Sequence, residues 1–228
     1  MWLRIGLTGA MAIGFLHVLP ASDAEARCSD RPEAGLDWAG CNKRNKKFPG
    51  KDLSGSKLTG TDFTFATLRE ADLSGSDMQR AVLVKTSLSS AKLGKTNLTK
   101  AQGMRASFKE ADLTDANLTK SEMSRASFQG ASLKGANLTK SDFPRVVFTG
   151  ADLSGADLSF SNVSRADFRG SNLSGVSFKG AYTLLSRFEG LDLSQTTGLT
   201  ADQLNLACGD DKTKLPAGLS ASAEWPCE

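Results

Sequence analysis

Residues 71–100 read ADLSGSDMQRAVLVKTSLSSAKLGKTNLTK, and the spacing within them decides the fold. Leu73, Met78, Leu83, Leu88, Leu93 and Leu98 fall every fifth residue, and two residues ahead of each stands Ala71, Ser76, Ala81, Thr86, Ala91 or Thr96. Working outward, the apolar series starts at Leu53 and holds register to Leu193, with only Gly103 and Thr183 departing from it over 29 positions. A helix repeats at 3.6 residues and a strand at 2, so neither produces this period. One residue in five points inward, the small residue two back forms a second inward site, and the remaining three face water. One such unit cannot bury its own leucine, so the chain must coil and stack each turn on the last.

The coil length follows from sorting the centres twenty residues apart. Leu53, Leu73, Leu93, Leu113, Leu133, Leu153, Leu173 and Leu193 make one column, and Phe108, Phe128, Phe148, Phe168 and Phe188 make another. The motif Asn-Leu-Thr-Lys recurs at 97–100, 117–120 and 137–140 with the same spacing. Four pentapeptides per coil give a square cross-section. Gly103 is expected to leave a void or a bulge, and Thr183-Leu184-Leu185 to slip the register by one.

In Ala71-Asp72-Leu73-Ser74-Gly75, Ala111-Asp112-Leu113, Ala151-Asp152-Leu153-Ser154-Gly155 and Ala156-Asp157-Leu158 the chain resembles the pentapeptide-repeat family, whose consensus is A(D/N)LXX. The resemblance covers roughly residues 51–195 and implies an all-β fold, a right-handed quadrilateral β-helix of about seven coils. At a strand spacing of ~4.8 Å such a rod is on the order of 35 Å long.

The ends read differently. Residues 1–26 have the form of a cleavable signal peptide: Arg4, an apolar run over 5–19, and Ala24-Glu25-Ala26 at the cleavage site. The run is broken by Gly6, Thr8, Gly9, Gly14 and His17 and is shorter than the ~20 residues of a span. The expected location is therefore the periplasm or the exterior of a bacterium, with no transmembrane segment after cleavage. Residues 27–50 and 196–228 are read as caps around a β-helix of 51–195. Cys28 with Cys41 and Cys208 with Cys227 lie one pair at each end, and an even count in an exported chain reads as disulfides. Three connectivities exist, and only the local one avoids joining opposite ends of the solenoid. Trp38 and Trp225 are expected in the cap cores. Thr200-Ala201-Asp202-Gln203 is a capping-box start for a short helix to about Ala207, with Gly209 as its stop.

Chemistry is sparse. The single histidine, His17, is removed with the signal segment, which excludes Ser-His-Asp and Cys-His sites. Asp72, Asp112, Asp152 and Asp192 are consensus positions on a convex rod. Gly94-Lys95-Thr96 lacks the first glycine of a phosphate loop, since Ser89 stands there. No enzyme, cofactor or metal site is expected. What stands above background is charge: the chain carries 28 Lys and Arg against 25 Asp and Glu. Lys85, Arg105, Arg125, Arg145 and Arg165 are twenty apart and stack on one edge; Arg80, Lys100, Lys120 and Lys140 stack on the neighbouring one. Aligned like charges are destabilising, and Glu70 and Glu110 are expected to neutralise them in part. The expectation is a non-enzymatic scaffold whose basic face meets an anionic envelope polymer, a lipid head group or another protein. The alternative is an inhibitor of a DNA-handling enzyme by duplex mimicry, which the resemblance implies for some family members. Positive charge and the export signal count against it.

Overall fold

The computed structural model describes residues 27–220 and 225. The expected signal peptide, residues 1–26, and Cys227 lie outside them. From Asp37 onward the chain pairs with itself in parallel at a constant offset of twenty, beginning with Asp37–Lys57 and continuing through Asp167–Arg187 and Ser177–Thr197. Each rung is a single-residue bridge, because a turn every five residues leaves no room for a longer strand.

One pentapeptide shows why this sequence takes this shape. Ala71 N–H closes a turn on the Leu68 carbonyl, Asp72 N–H reaches back one coil to Lys51, and Leu73 and Gly75 N–H reach forward to Lys92 and Gly94. The fifth donor, Ser74 N–H, bonds the Asp72 carboxylate at 3.0 Å. All five backbone donors are thereby satisfied, which a coil with a buried inner wall requires. Elsewhere too an Asp or Asn ahead of the centre accepts from that fifth donor, as Asp52, Asp112, Asp192, Asn97, Asn117 and Asn137 do.

Inside, the leucines of the first column are at most 2% exposed, and the Phe column stacks with centroids 4.6 Å apart for Phe108–Phe128 and 5.1 to 5.3 Å above it. Each ring pair adds about 0.5–1.5 kcal/mol beyond area burial. Some hydroxyls at the small inward site bond a carbonyl of the coil before, as Thr86 does to Phe63 and Thr96 to Leu73, while Ser161 and Thr196 bond within their own turn.

Four expectations are corrected. The ladder starts ahead of Lys51, with Trp38, Lys43 and Phe48 in centre positions. The pattern breaks in sequence because Lys43 stands where an apolar residue belongs. It is tolerated there because its ammonium lies 3.4 Å from the Trp38 ring centroid and donates to the Cys28 carbonyl at 2.6 Å. Gly103 leaves no void: Met123 leans into the space a side chain there would take. Thr183 keeps register, since Asn162–Tyr182 and Asp167–Arg187 bracket it at an offset of twenty, and its hydroxyl donates to the Gln203 carbonyl. The slip comes later, at Arg187–Cys208 and Asp192–Lys214, where helix α1, Ala201–Leu206, is inserted. The capping box of α1 is formed by Thr200 and Gln203, whose side-chain amide also donates to the Phe178 and Ala181 carbonyls and ties the helix to the last coil. Gly209 is not its stop; α1 ends on Ala207 in extended conformation, and Gly209 instead makes room for the Trp225 ring.

Cys28 and Cys41 form a disulfide with Cα atoms 5.5 Å apart, and Cys208 is also disulfide-bonded. Trp38 is fully buried, while Trp225 is partly buried against the core. Among the described residues no helix is long and apolar enough to cross a membrane.

Candidate anion-binding face

From Gly35 to Gly190 each corner of the coil is a β-turn whose third residue has positive φ, the place where glycine is least strained. Two of the four corner columns use it freely: Gly135, Gly155 and Gly175 on one, Gly130, Gly150, Gly170 and Gly190 on another. The other two carry long side chains through their middle coils. One runs Asn45, Phe65, Lys85, Arg105, Arg125, Arg145, Arg165, Leu185, all with φ between 54° and 59° and without a glycine among them. The other has glycine toward its ends, at Gly40, Gly60 and Gly180, and between them carries Arg80, Lys100, Lys120, Lys140 and Phe160 at 58° to 59°. A left-handed non-glycine residue costs on the order of 1–2 kcal/mol, so these edges keep long side chains against a standing conformational preference.

The structure brings all nine expected cations to the two edges of one face, and all nine are exposed. Among the described residues none of the nine forms an ion pair, although seven ion pairs occur elsewhere on the rod. Glu70 and Glu110 stand on the next corner column and form no ion pair with any of them. Lys85 lies over the Phe65 ring at 5.1 Å.

Between the basic edges run two outward columns. Met104, Ser124, Pro144, Ser164 and Leu184 border a shallow groove of about 400 Å³ whose wall is Arg125, Arg145 and Arg165. It continues into a depression of about 270 Å³ over Gln102, Glu122 and Asp142. Asp142 accepts from the Asn162 side-chain amide at 2.7 Å. The opposite face bears the Asp column, whose carboxylates accept from their own turns; Lys92, Lys134 and Lys214 pair there with Asp72, Asp152 and Asp192. The hydroxyl and N–H of Ser74 hold Asp72 below the usual carboxylate range, and Ser194 with Lys214 brings Asp192 to about 2.

One set of residues on this face escaped the sequence reading. Phe65, Met104, Phe160 and Tyr182 are each about half exposed, and all four lie on the same face or its edges. Sorting the corner residues by twenty would have found Phe65 and Phe160, since they continue the two cationic columns. Among the described residues no cluster of three or more His, Cys, Asp or Glu side chains could hold a metal ion.

The family described as pentapeptide repeats matches residues 52–84, 81–120, 121–159 and 151–182, in eight copies. The chain is similar to HetL, a pentapeptide repeat protein of heterocyst differentiation regulation from the cyanobacterium Nostoc sp. strain PCC 7120, at 22% identity over 81% of this chain and 85% of that one, with a TM-score of 0.34. It is similar at 20% identity to trypsin-treated QnrB1, a plasmid-mediated fluoroquinolone resistance protein, over 80% of this chain and 91% of that one, with a TM-score of 0.49. A pentapeptide repeat protein of the Arabidopsis thaliana thylakoid lumen matches at 25% identity over 77% and 83%, with a TM-score of 0.19. No curated protein matches the chain. With the repeat profile spanning more than half of its length and a four-sided coil of twenty residues, the chain belongs to the pentapeptide-repeat family of right-handed quadrilateral β-helices.

Proposed function

We propose that this protein is a non-enzymatic, exported interaction scaffold, its coil longer than the expected seven turns by the rungs ahead of Lys51, closed by a disulfide-bearing cap at each end, that docks an anionic component of the bacterial envelope on its basic face. The observation that carries the reading is the glycine-free edge from Asn45 to Leu185. Left-handed turns hold Lys85, Arg105, Arg125, Arg145 and Arg165 one above another with no carboxylate partner. Backbone strain and stacked like charge both weigh against that edge, and a bound polyanion would offset the second. Duplex mimicry calls for a rod negative on all sides. Here the acidic column occupies one face, and three of its carboxylates are already paired with lysines.

The test is binding of purified oxidised protein to immobilised lipopolysaccharide, peptidoglycan and duplex DNA across a salt series, beside a variant with Arg105, Arg125, Arg145 and Arg165 changed to Glu. Binding that weakens with salt and disappears in the variant supports the reading, as counterion release dictates. Identical behaviour of the two proteins overturns it.

A further inference from the structure

We propose that the occupant of the basic face is the surface of an anionic bilayer, on which the rod lies flat with its aromatic corners inserted among the head groups. The proposal rests on the anionic reading of this face and narrows it to one partner class. Three observations point to a planar, partly apolar partner rather than a dissolved chain.

First, exposed aromatic side chains stand at opposite corners of the patch. Phe65 ends the arginine-rich edge at one end of the rod, and Phe160 ends the lysine-rich edge near the other; they are 47% and 56% exposed. At ~4.8 Å per coil they lie on the order of 24 Å apart along the axis. Tyr182 and Met104, on the floor, are also about half exposed. Apart from Leu206 on α1, these are all the large apolar side chains exposed among the described residues. Their gathering on one of four faces marks an interaction surface.

Second, the cations flank the apolar residues on both sides. Basic residues beside inserted aromatic ones are the pairing that holds proteins in the interface of an anionic leaflet. A polyanion lying in the groove would use the arginine wall and leave Phe160, on the far edge, in water.

Third, the charge of the rod is uneven across its section. The opposite face carries the Asp column, three of whose carboxylates are paired with Lys92, Lys134 and Lys214, so a negatively charged plane is drawn to the unpaired cations of one side only, which sets the orientation. A flexible polymer has no plane for that polarity to act against.

The test measures co-sedimentation of the purified oxidised protein with phosphatidylglycerol-containing vesicles and with pure phosphatidylcholine vesicles, and in parallel its binding to soluble polyphosphate. The informative variant is Phe65→Gly with Phe160→Gly, which suits the positive φ at both sites and leaves all nine cations in place; circular dichroism checks its fold. Expected is binding to the anionic vesicles only, about tenfold weaker in the double glycine variant, with polyphosphate binding unchanged. Vesicle binding unaffected by the double substitution overturns the bilayer proposal and leaves the anionic reading standing, as does polyphosphate binding without vesicle binding. Failure to bind either probe removes both.

Discussion

Met123 occupies the space that a side chain at Gly103 would need, so two successive rungs of one core column share a single long side chain. The two residues are therefore expected to couple. Gly103→Leu, which restores the repeat consensus, overpacks the column and destabilises by about 1–3 kcal/mol. Met123→Leu withdraws the filler and leaves a void beside Gly103, also destabilising. The double variant puts one leucine on each rung, and a denaturant cycle should return a favourable coupling of at least about 1 kcal/mol. Additive effects would mean the column relaxes without regard to which rung is filled.

Hydroxyls at the small inward sites divide into two kinds. Thr96 donates to the Leu73 carbonyl at 2.8 Å, whereas the buried hydroxyls of Ser56, Ser76 and Ser121 have no partner among the described residues. Thr96→Val should cost about 1 kcal/mol, and Ser121→Ala should be neutral or stabilising. Chemical denaturation of the two variants checks the contrast; equal losses would show that the inward hydroxyls act through packing alone.

The Asp residues that close the turns set the acid limit of the fold. The hydroxyl and N–H of the following serine hold Asp52, Asp72 and Asp192 below 3.8, and Lys214 helps bring Asp192 to about 2. A carboxylate with a depressed folded pKa contributes stability that is complete above its unfolded value and lost as pH falls through the folded one. Stability should therefore decline from about pH 4 toward pH 2. Asn at all three sites retains the acceptor, as Asn97, Asn117 and Asn137 already do. The triple Asn variant should show a flatter acid limb in thermal melts between those pH values, and an unchanged slope would mean that other carboxylates dominate.

Lys43 gives the opposite limb. Burial, then the nearby charge of Lys46, lowers its pKa from 10.5 to about 8. Between those values the unfolded chain binds the extra proton, so this group makes stability rise with pH from about 8 to 10.5. Lys43→Met removes the titrating group. The stability of the wild type relative to Lys43→Met should increase between pH 7 and pH 10, as urea midpoints would reveal. A difference that stays constant would place the Lys43 ammonium in water rather than over Trp38.

What could be read in advance follows from one property of the coil: a neighbour in space is a neighbour at twenty in sequence. Leu73 over Leu53, Phe128 over Phe108 and Arg125 over Arg105 were legible for that reason, and the capping box of Thr200 with Gln203 was legible because it is local. Lys43 hid the first rungs, since its burial depends on Trp38 and on the carbonyl of Cys28, residues that no spacing rule connects. Gly35, Gly40 and Gly50, five or ten apart on corner positions, were the available signal. Met123 filling the place of Gly103 is a matter of side-chain reach. The apolar residues of the basic face went unseen because Phe65, Phe160 and Tyr182 sit at positions assigned to solvent by the repeat itself.

Glu122 and Asp142 place two carboxylates on the floor of a face edged by nine cations, and neither forms an ion pair among the described residues. They reduce the potential that an approaching anion meets without forming the pairs that would make them structural. Glu122→Gln with Asp142→Asn keeps both shapes, and keeps an oxygen on residue 142 for the Asn162 amide. Each carboxylate lies within about a Debye length of the cationic edges at physiological salt, so removing the two should tighten binding of an anionic partner several-fold. The gain should shrink as salt rises. Fold stability should be unchanged, because no ion pair is lost. Titration of the variant against anionic vesicles or polyphosphate at two salt concentrations measures the effect directly. Equal affinity of variant and wild type would mean that anions meet the rod somewhere other than this face.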